Sequence, residues 1–491
     1  MHRFEFFLNN DEGFPTLSGA YLVGADGVPS RGEVRLSGKQ IVCESRNTDP
    51  LGLSLLWPVQ GLGALQLETT RLVARDKPYH LHVELARHRL LRISLKREEW
   101  GLFDYSGVES IAGEIERAQE LFIAALQHID KPREAARLAD ESLAASVAAS
   151  EKLCQFHAGV FLSRRQQSGG FSRGFMGAAM PPAKSAPPRL KELLDFVRVP
   201  FVWREIQQKE QGAAYEPLDA WIKTLAKAGV TIRGGPLLNF GVQFVPDWMY
   251  IWENDYEAIV DFAREHVRRT AARYANVCPH WLIASGLHAD SVFPFTFEQI
   301  VDLTRMAATT TRQVAPKAQL VIDLTQPWGE YFARNQRAVP PLLYAEMVVQ
   351  AGISFDAFGI QIQFGLDSEG FHVRDLLQVS TLIDRLANLG KPLHVTALAA
   401  PSEAPAGKRR AATGGEWRGP WSEQVQADWL AQCAEVVLSR PFVESVCLQT
   451  VMDGPHAAVP GCGLLTEALK PKAAYARLVA LRAKLQSEGK K

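Results

Sequence analysis

Neither sign of charge is in excess in this chain: across 491 residues Lys+Arg and Asp+Glu stand at 54 each. Such a balance argues against nucleic acid or an anionic membrane surface as partner, and a neutral ligand fits better. No apolar run is long enough to span a bilayer. The opening stretch Met1-His2-Arg3-Phe4-Glu5-Phe6-Phe7 places an acid among its apolar residues and has neither an h-region nor a small-residue cleavage site. No signal peptide is therefore read, and a reducing cytoplasm is the expected compartment unless the true start lies upstream. The six cysteines (Cys43, Cys154, Cys278, Cys433, Cys447 and Cys462) show no CxxC spacing, which argues against both a zinc knuckle and a disulfide framework. No GxGxxG follows a strand and no HExxH occurs, so neither a cofactor nor a metal is expected. Nothing in the sequence indicates an oligomeric state.

What is present is ordinary globular material, 47% hydrophobic and 22% charged, in a length that holds one large barrel and a smaller domain. Residues 1–108 carry short alternating runs such as Tyr79-His80-Leu81-His82-Val83-Glu84-Leu85 and Leu91-Arg92-Ile93-Ser94-Leu95-Lys96, with a hairpin turn at Ser37-Gly38-Lys39. They predict an antiparallel β-sandwich, by analogy a carbohydrate-binding module and equally well a structural one. Residues 109–165 change to a helical period, with Ile115, Ala118, Leu121, Ala125 and Ile129 on one face, a break at Lys131-Pro132, and a second alanine-rich helix beyond it. These are two connector helices. The Gly-, Ser- and Pro-rich stretch from Arg164 to Arg189 reads as a linker that contains a first barrel strand at Gly174 to Ala178.

From there to residue 491 strands and helices alternate regularly. Phe196-Val197-Arg198-Val199, Val230 to Gly234, Trp281 to Ala284, Leu320 to Asp323, Phe355 to Gln363, Leu393 to Leu398 and Val446 to Gln449 are the strands, with amphipathic helices such as Tyr256 to Tyr274 and Phe297 to Val314 between them. Seven or eight such repeats predict an α/β fold of the closed (β/α)8 TIM-barrel type over residues 166–491, whose chemistry belongs at the carboxyl ends of the strands.

Several landmarks across roughly residues 170–480 resemble glycoside hydrolase family 10, the endo-xylanase barrels. They are Glu210-Gln211-Gly212 with Tyr215 and Asp219, Val230-Thr231-Ile232-Arg233-Gly234, Pro246-Asp247-Trp248, His266 with Arg273-Tyr274, Gly359-Ile360-Gln361, and Lys470-Pro471-Lys472-Ala473-Ala474-Tyr475. The resemblance implies an acid/base glutamate after the fourth strand and a nucleophilic glutamate at the seventh. The matching positions are Gly286, in Trp281-Leu282-Ile283-Ala284-Ser285-Gly286, and Ala397, in Thr396-Ala397-Leu398-Ala399. Retaining hydrolysis needs two carboxyl groups about 5 Å apart, and glycine and alanine supply neither. The sugar-clamping positions are altered as well: Gly235, Asn239-Phe240, Gln363 and Gln449 stand where the family has other residues, Trp203-Arg204 stands at its Lys-Trp pair, and Gln361 is retained.

His288 and Asp290, just beyond the missing acid, are the speculative replacements as an acid/base pair, against a solvated loop. Asp323, Gln361, Gln363, Gln449 and Asp453 are expected at the barrel mouth, where amides and carboxylates bind sugar hydroxyls, against buried structural hydrogen bonding. Trp203, Arg204, Asn239 and Trp248 complete the expected substrate-binding set, with Trp248 equally suited to a packed core. Asp323, Asp453, His288 and His456 are a candidate metal group, but without metal-ligand spacing. Glu205, Glu210, Glu403 and Glu416 are relocated carboxylates or surface acids, and Lys408-Arg409-Arg410 with Trp417 and Trp421 form a loop suited to stacking or to packing. Arg233 reads as structural, and Cys462 as an inert turn cysteine in preference to an exposed thiol. The leading expectation is a degenerate family-10-like barrel that binds an oligosaccharide or polysaccharide without retaining hydrolysis. The alternatives are an active glycan-processing enzyme with relocated acids, and a structural scaffold.

Overall fold

The computed structural model describes residues 2–8, 17–102, 105–171, 174–183, 185–187, 190–335, 337–404, 414–455 and 457–487. The amino-terminal strands are His2–Phe7 (β1), Tyr21–Val23 (β2), Pro29–Ser30 (β3), Glu33–Ser37 (β4), Gln40–Ser45 (β5), Gly52–Val59 (β6), Gly63–Glu68 (β7) and Tyr79–His80 (β8). They form two four-stranded sheets, β4-β5-β1-β8 and β3-β2-β6-β7, antiparallel except for the β1/β8 pair. Ser37 pairs with Gln40, so Gly38 and Lys39 make the two-residue hairpin loop, and Gly38 takes the left-handed φ of 59° that such a turn needs. The alternating buried residues Phe4 and Phe6 of β1 and Leu53, Leu55 and Trp57 of β6 fill a core shared with the rest of the chain.

The expectation of strands at 81–85 and 91–96 is overturned. Leu81–Trp100 is one helix (α1), so residues 1–108 are two sheets followed by a helix. Its first turn is buried on all sides, Leu81 through Ala86, which mimics a strand-like alternation; beyond it the buried positions Arg89, Ile93 and Lys96 follow the helical period. Gly101, left-handed at φ 60°, caps the helix by donating to Arg97 and Glu98 carbonyls. Glu109–Gln127 (α2) and Pro132–Gln167 (α3) are the two helices expected, Pro132 at the start of α3 where a missing N–H costs nothing. The three helices pack as a layer on the barrel. Ion pairs fasten them: Arg89 to Asp375, Lys96 to Asp384 at 2.8 Å, and the exposed Arg418 to the buried Glu151 at 2.8 Å.

The barrel is closed by eight parallel strands, Met176–Ala179 (β9), Phe196–Val199 (β10), Thr231–Gly234 (β11), His280–Ser285 (β12), Gln319–Leu324 (β13), Ala357–Gln363 (β14), Leu393–Ala399 (β15) and Val443–Leu448 (β16). Ring closure comes from β16 pairing with β9, Val446 opposite Met176. The first strand does lie inside the Gly- and Pro-rich stretch. Gly234 gives room to Phe201 and Trp281, whose side chains lie 2.5 and 2.7 Å from where a Cβ would stand. Arg233 is structural: it donates to Ser445 Oγ and the Gly174 carbonyl, both at 2.8 Å, and lies over the Phe196 ring.

The two sheets sit against the carboxyl-end loops of the barrel. Gln66 N donates to the Val373 carbonyl at 2.7 Å, Glu416 N to Ala64 at 2.9 Å and Arg418 N to Leu62 at 2.7 Å. The loops after β14 and β15 are thus held by β7 and the turn before it. No helix of the described residues is long and apolar enough to cross a membrane.

Candidate functional site

Each barrel strand sends its carboxyl end to the same face, and there the loops enclose a cavity of about 1060 Å³. Its floor is built from strand-terminal residues: Arg198 (β10), Ser285 with Gly286 (β12), Asp323 (β13), Gln361 and Gln363 (β14), Ala397 (β15) and Gln449 after β16. Its walls come from loops, including Asn239, Gly241, Gln243 and Phe244 after β11, Asp290 after β12, Thr325 and Gln326 after β13, and Asp453 after β16.

Asp323 is the centre of the floor and is 1% exposed. Ser285 Oγ donates to its Oδ2 at 2.7 Å, Gln361 Nε2 donates to the same oxygen at 2.6 Å, and Thr396 Oγ1 meets its Oδ1. A buried carboxylate surrounded by donors in this way is satisfied within the protein. Gln363 Nε2 in turn donates to Gln361 Oε1 at 2.9 Å, while Gln363 Oε1 and Gln326 Oε1 are buried and accept no hydrogen bond from the described residues. Arg198 Nη2 donates to Gln449 Oε1 at 2.7 Å, and its Nε has no acceptor among them.

Gly286 and Ala397 both line this cavity, so the two positions at which a carboxylate was missed do face the mouth. Gly286 is left-handed at φ 69°, and a Cβ there would lie 3.1 Å from Thr325 Oγ1. Ala397 is 2% exposed and sits opposite Gln361 in the ladder.

His288 and Asp290 do not form a pair. His288 is 1% exposed, stacks on Tyr344 with centroids 5.0 Å apart, and makes its Nε2 contact with the Thr325 carbonyl at 3.1 Å. Burial pushes it down to about 4, so it is a neutral core residue rather than a proton donor or a solvated loop residue. Asp290 points to the cavity instead, at a solvent-accessible position on the rim where partial burial raises its carboxyl above the usual range.

The expected sugar-binding set divides. Asn239, Asp323, Gln361, Gln363, Gln449 and Asp453 line the cavity, but Trp203, Arg204 and Trp248 do not. Trp203 is 2% exposed and stacks on His266; Trp248 packs on Phe262 and donates to the Gln207 carbonyl at 2.9 Å. Arg204 faces solvent and pairs with Asp247 at 2.6 Å. Asn239 Oδ1 is used locally, accepting from Gly241 N at 2.7 Å, and Asp453 is held by Lys472 Nζ at 2.5 Å and Gly463 N at 2.8 Å.

Of the other acids considered, Glu205 reaches the cavity and Glu210, Glu403 and Glu416 do not; Glu467, passed over in the sequence, does. Trp417 and Trp421 are packed, donating to Glu151 at 2.6 Å and to the Gly415 carbonyl at 3.0 Å. Lys408, Arg409, Arg410 and His456 lie outside the described residues. Cys462 is buried, its thiol pushed up to about 12 by burial, so it is inert. Among the described residues no three His, Cys, Asp or Glu side chains are arranged to hold a metal ion.

Sequence reasoning missed Arg198, Gln243, Thr325 and Gln326. A signal existed for Arg198, the polar residue in the strand Phe196-Val197-Arg198-Val199. Gln326 had one only in hindsight, following Asp323 by three residues in a loop whose left-handed φ of 45° turns its side chain inward against Gly370.

No protein-family model and no curated protein matches the chain. Solved structures do. The chain is similar to xylanase 10B from Thermotoga petrophila RKU-1 in complex with xylobiose, at 15% identity and a TM-score of 0.46, over 66% of this chain and 97% of that one. It is similar to native xylanase 10B from Thermotoga maritima at 13% identity and a TM-score of 0.49, over 66% and 98%. The GH10 structure from Paenibacillus barcinonensis matches at 19% identity and a TM-score of 0.48, over 66% and 97%. The likeness is one of fold.

Proposed function

We propose that the barrel mouth binds a segment of oligosaccharide or polysaccharide and does not hydrolyse it by a retaining mechanism. The observation that carries this reading is the cavity floor. Gly286 and Ala397 stand at the ends of the fourth and seventh barrel strands without a carboxyl group, and the carboxylate that does lie there, Asp323, is enclosed by Ser285, Gln361 and Thr396. A nucleophile or acid has to reach the substrate, and Asp323 is turned to its own neighbours. The amides Asn239, Gln243, Gln326, Gln361, Gln363 and Gln449 around it are groups that exchange hydrogen bonds with hydroxyls. A cavity of about 1060 Å³ also has room for a ligand of more than one sugar ring, which sets this reading above a scaffold with a filled mouth.

One observation favours a second reading, a glycan-processing enzyme with relocated acids. Asp290 faces the cavity with a carboxyl raised by burial, the direction a general acid requires, and Glu205 and Glu467 line the same space.

The test is titration calorimetry of the full chain against neutral and acidic oligosaccharides, with each mixture analysed afterwards for products. Binding without new reducing ends supports the first reading. Cleavage that disappears in Asp290→Asn or Glu205→Gln replaces it with the second. Absence of both binding and cleavage across the panel leaves the scaffold.

A further inference from the structure

One edge of the amino-terminal sheet β4-β5-β1-β8 is open. Among the described residues β4 pairs with β5 alone, whereas β7, an edge of the other sheet, is covered by the loops after β14 and β15. The two-residue loop at Gly38 and Lys39 makes Ser37 and Gln40 a hydrogen-bonded pair, so Arg35 with Val42 and Glu33 with Glu44 are hydrogen-bonded pairs too. The N–H and C=O groups of Val34 and Leu36 therefore point away from β5, a row of the kind that takes up a further strand. The side chains stop short at the same place. Across the core face the rows run Phe4, Cys43, Val34 and Phe6, Ile41, Leu36. Phe4, Cys43, Phe6 and Ile41 are each 0% exposed, but Val34 is only partly buried and Leu36 is 41% exposed.

Exposed edges are usually blunted by charge, and β4 carries Glu33 and Arg35. These two differ in sign, and that makes the strand complementary to itself. An antiparallel second β4 has to bring outward-facing residues together, which are Val34, Leu36 and, by the same alternation, Gly32. Setting Val34 opposite Leu36 puts Arg35 against Arg35, and setting Leu36 opposite Leu36 puts Glu33 against the hairpin turn. Setting Val34 opposite Val34 places Glu33 of each copy against Arg35 of the other, twice, with Leu36 facing Gly32, where no side chain crowds it. Both charges are available at the edge: the Glu33 side chain is 68% exposed and 3.9 Å from Arg35, which is 42% exposed and shared with Glu44 at 3.5 Å.

We propose that a second copy of this chain docks on β4, edge to edge and antiparallel, about a two-fold axis at Val34. The sheets of the two copies then join into one, and the isologous contact closes on itself as a dimer. No residue of β4 lines the cavity at the barrel mouth, so the surface is independent of what that cavity binds.

Sedimentation equilibrium of the full chain, from about 1 µM to about 200 µM, tests this. The wild-type mass is expected to rise from 54.4 kDa toward twice that value. Val34→Pro removes an outward N–H and leaves the bonds to β5 in place, because proline is tolerated where an edge faces solvent; it is expected to abolish the dimer. Glu33→Arg and Arg35→Glu each set like charges together twice and are expected to weaken association about tenfold. The double variant exchanges the signs, keeps the register complementary, and is expected to return to within about threefold of wild type. Circular dichroism verifies that each variant folds, and where Val34→Pro does not, the charge exchange carries the test. A wild type that stays at 54.4 kDa throughout overturns the proposal. So does a dimer unaffected by a folded Val34→Pro, which would lie on another surface. A double variant that associates no more tightly than the single ones overturns it as well, and leaves Glu33 and Arg35 as charges that guard the edge.

Discussion

Trp203 lies face to face with His266, ring centroids 4.5 Å apart and planes 11° from parallel. Both are buried, and Trp203 Nε1 donates to Gln207 Oε1 at 3.0 Å, so the indole belongs to the packing between the second-strand loop and the helix Tyr256–Tyr274. Trp203→Ala is therefore expected to cost about 3–5 kcal/mol of stability, the range for removing a buried aromatic. In denaturant unfolding Trp203→Phe should fall between wild type and Trp203→Ala. If Trp203→Phe keeps wild-type stability but loses sugar affinity, the indole has a binding role after all.

The barrel was legible because each repeat states its period twice. A short apolar strand such as Trp281-Leu282-Ile283-Ala284 is followed by a helix with a face like that of Phe297–Val314, started by a capping box at Thr296 and Gln299. The helix α1 was not, because its fully buried first turn hides the period that a one-sided helix displays. The floor of the cavity was partly legible: polar residues at strand ends, Asp323, Gln361 and Gln363, do project into the barrel. Loop residues were the failures. Trp203 and Trp248 as sugar platforms, or His288 as a proton donor, depend on which way a side chain turns after the strand ends, and that is decided by tertiary partners such as His266, Phe262 and Tyr344.

Glu330 and Arg374 form a buried ion pair where the sheet domain meets the loops after β13 and β14. Glu330 also accepts from His372 Nδ1 and Gly370 N, each at 2.9 Å, and Arg374 lies 4.4 Å from the Trp328 ring centroid and reaches Tyr21 OH on β2 at 3.4 Å. Burial works to raise the Glu330 carboxyl, but Arg374 and His372 outweigh it and hold it at about 2. Glu330→Gln, which leaves Arg374 buried without its counter-charge, is expected to destabilise the protein by about 3–5 kcal/mol. The double variant Glu330→Gln with Arg374→Met should recover part of that loss in urea unfolding. A loss no smaller in the double variant would show that the charge pairing is not what matters.

Gly286, directly after the fourth barrel strand, brings no side chain to the cavity that it lines. Its φ of 69° is costly for any residue with a Cβ, and the Cβ would press on Thr325 Oγ1 at 3.1 Å. Gly286→Ala is expected to lower stability by about 1–2 kcal/mol, a few degrees in melting temperature or less for a chain of this size. Gly286→Glu, alone or with Ala397→Glu, is expected to confer no retaining hydrolysis, since a side chain at 286 has to be carried on a left-handed backbone and against Thr325. Measured turnover in the double variant would refute this.

Stability should fall as the solution is made acidic, well before ordinary carboxylates titrate. Burial lowers His88 and His288 from 6.5 to about 4, and His157, His266 and His280 to about 3. Between about pH 6.5 and 4 the unfolded chain binds protons at these positions and the folded chain does not, so stability rises with pH across that window and is lost on going down. Each fully titrating histidine contributes up to about 1.4 kcal/mol per pH unit. Glu330 acts in the same direction at lower pH: its stabilisation is complete above the unfolded carboxyl's range and is lost as pH falls toward 2. Asp290 and Glu151, whose carboxyls are raised by burial, oppose the trend, because they bind protons more readily folded than unfolded. The histidines outnumber them, so urea midpoints at pH 7, 6 and 5 are expected to decline in that order. His288→Phe, keeping the stack on Tyr344 and giving up the contact with Thr325, should be less stable than wild type at pH 7 and show the shallower decline. A midpoint that holds steady from pH 7 to 5 would mean that these rings are protonated in place, and that the packing around His288 opens to water.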